Sequence, residues 1–163
     1  GESVWEIKRH IGLVSASLHR DYRAPGNAMT TVVSGFFDSI GLYQRPSAQQ
    51  LKLAAEWLSI MGLEKQANAS FRQLSWGQQR MVLIARGLIK QPALMILDEP
   101  TQGLDDLNRH LVLAFIQGLA DLKRTTLLFV SHREDEHLPV FKRRIVFRKM
   151  PVGSSPLFEA RWE

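Results

Sequence analysis

The sequence predicts an α/β fold, a parallel sheet carrying an inserted helical subdomain, on three observations. Residues 94–97 and 126–130 are short apolar runs flanking an amphipathic stretch, so strand, helix and strand follow one another within about 40 residues, as a parallel pair with a right-handed crossover requires. Both runs end in polar residues, Asp98-Glu99 and Ser131-His132. Residues 29–68, by contrast, repeat their apolar positions at helical spacing and contain no strand-like run.

Taken in order, residues 10–14 are apolar and rich in β formers, and the small residues Ser15, Ala16 and Ser17 that follow predict a strand entering a loop. Past the turn signal Pro25-Gly26, Val32, Val33, Phe36, Phe37 and Ile40 predict one helix between Met29 and Gly41. Ser47 and Gln50 form a capping-box pattern opening a second, with Leu51, Ala54, Leu58 and Met61 on one face before Gly62. Ser75 and Gln78 repeat the pattern, and Met81, Val82, Ile84, Ala85 and Leu88 form the buried face of a helix ending near Lys90 and Pro92. The wholly apolar run 94–97 reads as a strand buried on both faces. Asp105 and Asp106 suit a helix start, and Leu107, Leu111, Phe115 and Leu119 make one apolar stripe along the helix they open. Residues 126–130 read as a second buried strand and 144–148 as a peripheral one.

With 163 residues, 45% apolar and 23% charged, the chain has the size and mixture of one globular domain. Its longest apolar stretches fall far short of the roughly 20 residues that cross a bilayer, and its N-terminus has no signal-peptide pattern. Having no cysteine, it has neither disulfide framework nor thiolate metal site, which fits a cytoplasmic location. The net charge of +5 is scattered rather than blocked, which weighs against nucleic acid as a partner.

In open α/β sheets ligands bind beyond the carboxyl ends of the strands. Two adjacent carboxylates there, Asp98 and Glu99, suit Mg-nucleotide hydrolysis, one on the metal side and the other accepting a proton from water; the same pair could equally just begin a loop. At the helix opening at Ser75, free backbone N–H groups beside Gly77 suit a phosphate, although serine there is more often only a cap. Other signals carry less. His19-Arg20-Asp21 is a chance likeness to a kinase catalytic loop. Asp135, Glu136 and His137 read as a solvated face at a polar helix start, not as metal ligands with His132. Asn68-Ala69-Ser70 is a glycosylation sequon without secretory context. Trp5, Trp57 and Trp162 read as packing residues.

Together the ordered set 74–80 (Leu-Ser-Trp-Gly-Gln-Gln-Arg), 97–101 (Leu-Asp-Glu-Pro-Thr), Gly103-Leu104-Asp105 and Ser131-His132 resembles the ATP-binding-cassette (ABC) ATPase family. Residues 11–23, 35–41 and 74–80 look more closely like the second cassette of ModF-like tandem ABC proteins, named for molybdenum transport and also described as photorepair-type. The resemblance implies a P-loop NTPase-like (RecA-like) sheet with an ABC helical subdomain, ATP and Mg2+ as cofactors, and a second ABC cassette as partner. It also implies roles. Ser75, Gly77 and Gln78 belong to the signature motif facing the partner's nucleotide, Asp98 closes the Walker B strand on the metal side, Glu99 is the general base, Asp105 is the D-loop aspartate and His132 the switch histidine. The corresponding organisation is a strand and Q-loop region over 1–21, the helical subdomain over 22–73, the signature-to-switch part of the ATPase lobe over 74–150 and a tail over 151–163.

Two departures stand out. No Gly-Lys-Ser or Gly-Lys-Thr occurs, so the phosphate-cradling loop is outside this sequence, and the stretch alone is expected to hydrolyse ATP negligibly. Where the family has a Q-loop glutamine this chain has Ser15-Ala16-Ser17, a departure from the usual coupling to a membrane permease at the inner membrane. A soluble nucleotide-gated regulatory module, or a nucleic-acid-associated ABC protein, is therefore the alternative to a transport ATPase.

Overall fold

The structure, a computed structural model, describes residues 4–151 and 158–162. Three parallel strands, β1 (Ile11–Ser15), β2 (Leu94–Asp98) and β3 (Thr126–Val130), lie in the order β1-β2-β3. They are in register, with Ser15, Asp98 and Val130 level at the carboxyl end. A two-stranded antiparallel ribbon, Ile145–Lys149 with Phe158–Trp162, forms β4 and β5. The peripheral strand expected over 144–148 is thus β4, while 152–157 and 163 of the expected tail lie outside the described residues.

One face of the sheet is covered and the other is open. Val14, Met95 and Leu97 are buried beneath α5 (Trp76–Leu88), which packs so closely that a Cβ at Gly12 would stand 2.6 Å from the carbonyl oxygen of Gly87. On the opposite face Leu13 and Leu128 are each about half exposed. The expectation that residues 94–97 and 126–130 are buried on both faces is therefore corrected. β2 alternates buried and half-buried positions, and β3, an edge strand among the described residues, buries none fully.

Helix α1 (Val4–Arg9), which the sequence pattern did not reveal, precedes β1. The loop expected after β1 is instead a helix, α2 (Ala16–Asp21), because the Ser15 hydroxyl caps it by accepting from the Leu18 N–H. The single helix expected over 29–41 is α3 (Ala28–Val33) continued by one 3-10 turn, Ser34–Phe37. It stops where Asp38 turns left-handed and Arg86 of α5 takes the Ser39 carbonyl. α4 (Ala48–Ile60) starts at its expected Ser47–Gln50 capping box and buries Ala54 and Leu58, with Leu51 outside the buried face.

Residues 26–29 pair back against 67–71 through Ala28 N–H to the Ala69 carbonyl, Met29 N–H to Ala67 and Phe71 N–H to Gly26, so the helical insertion is closed at its base. The core runs continuously from Val32, Val33 and Leu58 in the insertion through Leu83 and Ile84 of α5 to the sheet. α6 (Asp106–Asp121) connects β2 to β3 and buries Val112 and Ile116. The Leu107–Leu111 part of the expected stripe points out of this core, with Leu107 71% exposed. Among the described residues no helix is long and apolar enough to cross a membrane.

Candidate functional site

At the carboxyl end of β2 the chain turns sharply. Asp98 completes the strand, and Glu99 adopts a left-handed conformation (φ 49°) that is uncommon for a residue with a side chain. Its N–H donates to the Val130 carbonyl at 2.9 Å, tying the turn to the end of β3. That places the Glu99 carboxylate beside His132: Oε1 accepts from the His132 N–H at 2.9 Å and lies 2.7 Å from Nδ1. His132 is exposed and Glu99 mostly covered, so the pair sits at the rim of the open sheet face. The parallel register thus brings Asp98, Glu99 and His132 to one edge.

A second group forms at the start of α5. Ser75 is the helix cap: its hydroxyl accepts from the Gln78 N–H at 3.2 Å while Gln78 Oε1 accepts from the Ser75 N–H at 3.0 Å. Asp105 caps α6 in the same way, accepting from the N–H of Asn108 at 2.8 Å and from its side-chain amide at 2.8 Å; these bonds hold its carboxyl below the usual carboxylate range. The two helix starts touch at Gly77, where a Cβ would stand 2.1 Å from Asn108 Oδ1 and 2.8 Å from its Cβ. The glycine therefore has a packing role within this chain, where it is buried against Asn108. The start of α5, with Ser75, Gly77 and Gln78, thus lies against the start of α6, which Asp105 caps.

Two residues have structural roles that sequence reasoning did not assign to them. Arg80 is fully buried, and its guanidinium donates to the carbonyls of Glu99 (3.0 Å), Pro100 (2.7 Å) and Gln102 (3.2 Å), linking the α5 surface to the β2 edge. Its one local signal was an arginine in the apolar run of α5, a feature Arg86 shares. Glu136 corrects the reading of 135–137 as a solvated helix start. The segment is not helical, and the buried Glu136 carboxylate accepts from Thr101 Oγ1 and Ser131 Oγ, both at 2.7 Å. Arg109 (3.8 Å) and Arg133 (3.5 Å) balance its charge. Asp135, bound by Arg133 and Arg109, is held well below the usual carboxylate range. Glu136 fastens the turn after β2 to the turn after β3, a connection across 35 residues that no local pattern announces.

Comparison with known proteins identifies the family. The family model described as ABC transporter matches residues 2–102. The chain is 51% identical over 148 residues to the ABC transporter ATP-binding protein ModF of Escherichia coli (strain K12), covering 90% of this chain and 30% of that protein. It is 28% identical over 144 residues to the molybdate import ATP-binding protein MolC of Haemophilus influenzae, covering 88% of this chain and 56% of MolC. The chain thus spans less than two thirds of the length of either relative. Among solved structures, an ATP-binding cassette of an ABC transporter superposes with a TM-score of 0.68 at 19% identity, over 84% of this chain and 56% of that one, a likeness of fold alone. With the family model covering β1, the helical insertion, α5 and the Asp98–Glu99 turn, the chain belongs to the ABC transporter family.

Proposed function

We propose that the chain is the distal part of an ABC cassette, the second of a ModF-like tandem, that binds and hydrolyses ATP in a nucleotide sandwich serving a transport system. The observation that carries this reading is the contact of Glu99 Oε1 with His132 Nδ1 at 2.7 Å, at the carboxyl ends of two parallel strands. Glu99 is the general base toward the attacking water, and His132 meets charge developing on the γ-phosphate. Ser75, Gly77, Gln78 and Asp105 face a nucleotide held by a second cassette, with the N-terminus of α5 turned to its phosphate. Asp98, a carboxylate at the carboxyl end of β2, would hold Mg2+ from the protein side, and the ion would supply neutralisation of phosphate charge.

Within the cassette, 22–73 is the helical subdomain and 74–150 the part of the ATPase lobe from signature to switch. The stretch by itself, lacking a phosphate-cradling loop, is inactive. Molybdate is the cargo class suggested by the names of the E. coli and H. influenzae relatives. A membrane permease is then the further partner, with the cassette on the cytoplasmic face of the inner membrane. One observation favours a nucleotide-gated module without transport: Ser15-Ala16-Ser17 opens a capped helix where the family has its Q-loop glutamine.

Glu99→Gln in the complete protein tests the reading. ATP still binds and turnover falls by at least about a hundredfold, the scale of losing a general base. Turnover within a fewfold of the parent overturns it. If transport or another biological output persists in the variant while hydrolysis is lost, nucleotide-gated docking is the function instead.

A further inference from the structure

We infer that His19 is a positioning residue for Glu99, acting through Arg80. The inference rests on the reading of Glu99 as the base, but its geometry stands independently. A fully buried guanidinium must find acceptors for its N–H groups, since an unpaired buried charge is strongly destabilising. Arg80 finds no carboxylate among its hydrogen-bond partners. Nη1 and Nη2 donate to the carbonyls of the turn 99–102, and Nε donates to His19 Nδ1 at 3.0 Å. His19 therefore sets the rotation of the group that grips the Glu99 turn.

The imidazole is held in the one form that can do this. Gln79 donates through Nε2 to the Leu74 carbonyl at 3.0 Å, which turns its Oε1 toward His19 Nε2 at 2.9 Å. Nε2 must then carry the proton, leaving the Nδ1 lone pair free to accept from Arg80. Trp76 stacks on the ring (centroids 3.8 Å apart, 19° between planes), and Phe71 meets it edge-on at 6.4 Å. Burial, with the neighbouring Arg80 charge adding to it, lowers His19 to about 4 against the pull of the Gln79 bond, consistent with a neutral acceptor.

The turn has reason to need this grip. Glu99 sits in a left-handed conformation that is strained for a residue with a side chain and persists only where its surroundings hold it. The Val130 carbonyl holds its N–H, and Arg80 together with the Gln102 N–H holds its carbonyl, Arg80 alone tying that carbonyl to α5. Loss of the Arg80 bonds leaves the carbonyl only the Gln102 N–H of its own turn, so the whole turn can shift against α5 and carry the carboxylate away from His132. The path from α2 through α5 to the β2 edge also begins four residues beyond Ser15, so any displacement of α2 is felt at the Glu99 turn.

The test compares two variants in the complete protein. His19→Phe keeps a flat ring on Trp76 but removes the acceptor; His19→Asn removes the ring but offers Oδ1 near the place of Nδ1. His19→Phe should lower kcat at least tenfold with KM for ATP within about twofold, and His19→Asn should return kcat to within a fewfold of the parent. A parent-like kcat in His19→Phe, or equal impairment in both variants, overturns the inference. Amide hydrogen exchange over 99–104, where the N–H groups of Glu99, Gln102 and Leu104 are all bonded, provides a readout that needs no catalysis. His19→Phe should speed it at least tenfold and His19→Asn should restore it. A parent without ATP turnover removes the reading of Glu99 as the base, and exchange unchanged in His19→Phe removes the positioning role.

Discussion

Helices α5 and α6 are built alike at their starts and differ in everything that follows. Each opens on a side-chain cap, Ser75 or Asp105, and each carries apolar residues at helical spacing. α5 lies between the sheet on one side and α3, α4 and α6 on others, and it buries Val82, Leu83, Ile84, Ala85 and Leu88 together with a complete arginine side chain. α6 packs mainly against α5 and buries only Val112 and Ile116, leaving Leu107 and Leu111 to solvent. The difference teaches that an amphipathic pattern specifies a helix, while the number of its neighbours decides how much of the pattern is used. It also shows why a buried charge is tolerated in α5: backbone carbonyls of a fixed turn and one imidazole surround Arg80 with acceptors.

The sharpest way to break this comparison is Arg80→Met. It keeps most of the side-chain volume but leaves two buried acceptors, the Pro100 carbonyl and His19 Nδ1, without a donor, while the Glu99 carbonyl keeps the Gln102 N–H. Each buried unsatisfied acceptor costs roughly 1–3 kcal/mol, so the loss in unfolding free energy should reach about 3 kcal/mol or more. Chemical denaturation measures it, and a loss below about 1 kcal/mol would mean that the turn finds other donors.

A somewhat smaller effect is expected from pH. The groups facing His19 are Gln79 and Arg80 of α5, with Arg20, Arg23 and Arg72 around the same cleft, and no carboxylate lines it among the described residues. Because its pKa falls from 6.5 to about 4 on folding, the unfolded chain takes up the proton first as pH drops. The His19 contribution is therefore fully present above about pH 6.5 and is lost progressively toward pH 4, at most about 3 kcal/mol. Denaturation midpoints across that window should decline in the parent and stay flatter in His19→Phe; parallel profiles would sink the assignment.

The smallest effect sharpens the other side of the comparison. Leu111→Gln on α6 exchanges one exposed side chain for another and should change the stability of this chain by no more than about 0.5 kcal/mol in thermal or chemical unfolding. A loss above about 1.5 kcal/mol would place Leu111 in a contact and α6 in the same class as α5.

Much of the site was legible in the sequence because it is local. The capping boxes at Ser47 and Ser75 involve residues three apart, and the apolar run of β2 ending in Asp98-Glu99 declares both a strand and its edge. The strand-to-helix switch at Ser15 was equally local yet missed, since small polar residues suit a loop as well as a cap. His19, Arg80 and Glu136 were not legible. Their partners lie 61, 19 and 35 residues away, and what gives them a role is burial beside those partners.

Local pattern in the sequence was enough for the three parallel strands, for the capped helices α4, α5 and α6 and for the order of the polar strand ends, though not for α1, α2 or β5, because backbone sterics, capping and periodicity act within a few residues. The tertiary structure was needed to show which faces α5 covers and how Glu99 is held in its strained turn. Those outcomes depend on groups meeting across tens of residues, where burial turns a solvated arginine, histidine or glutamate into a donor or acceptor that must be satisfied.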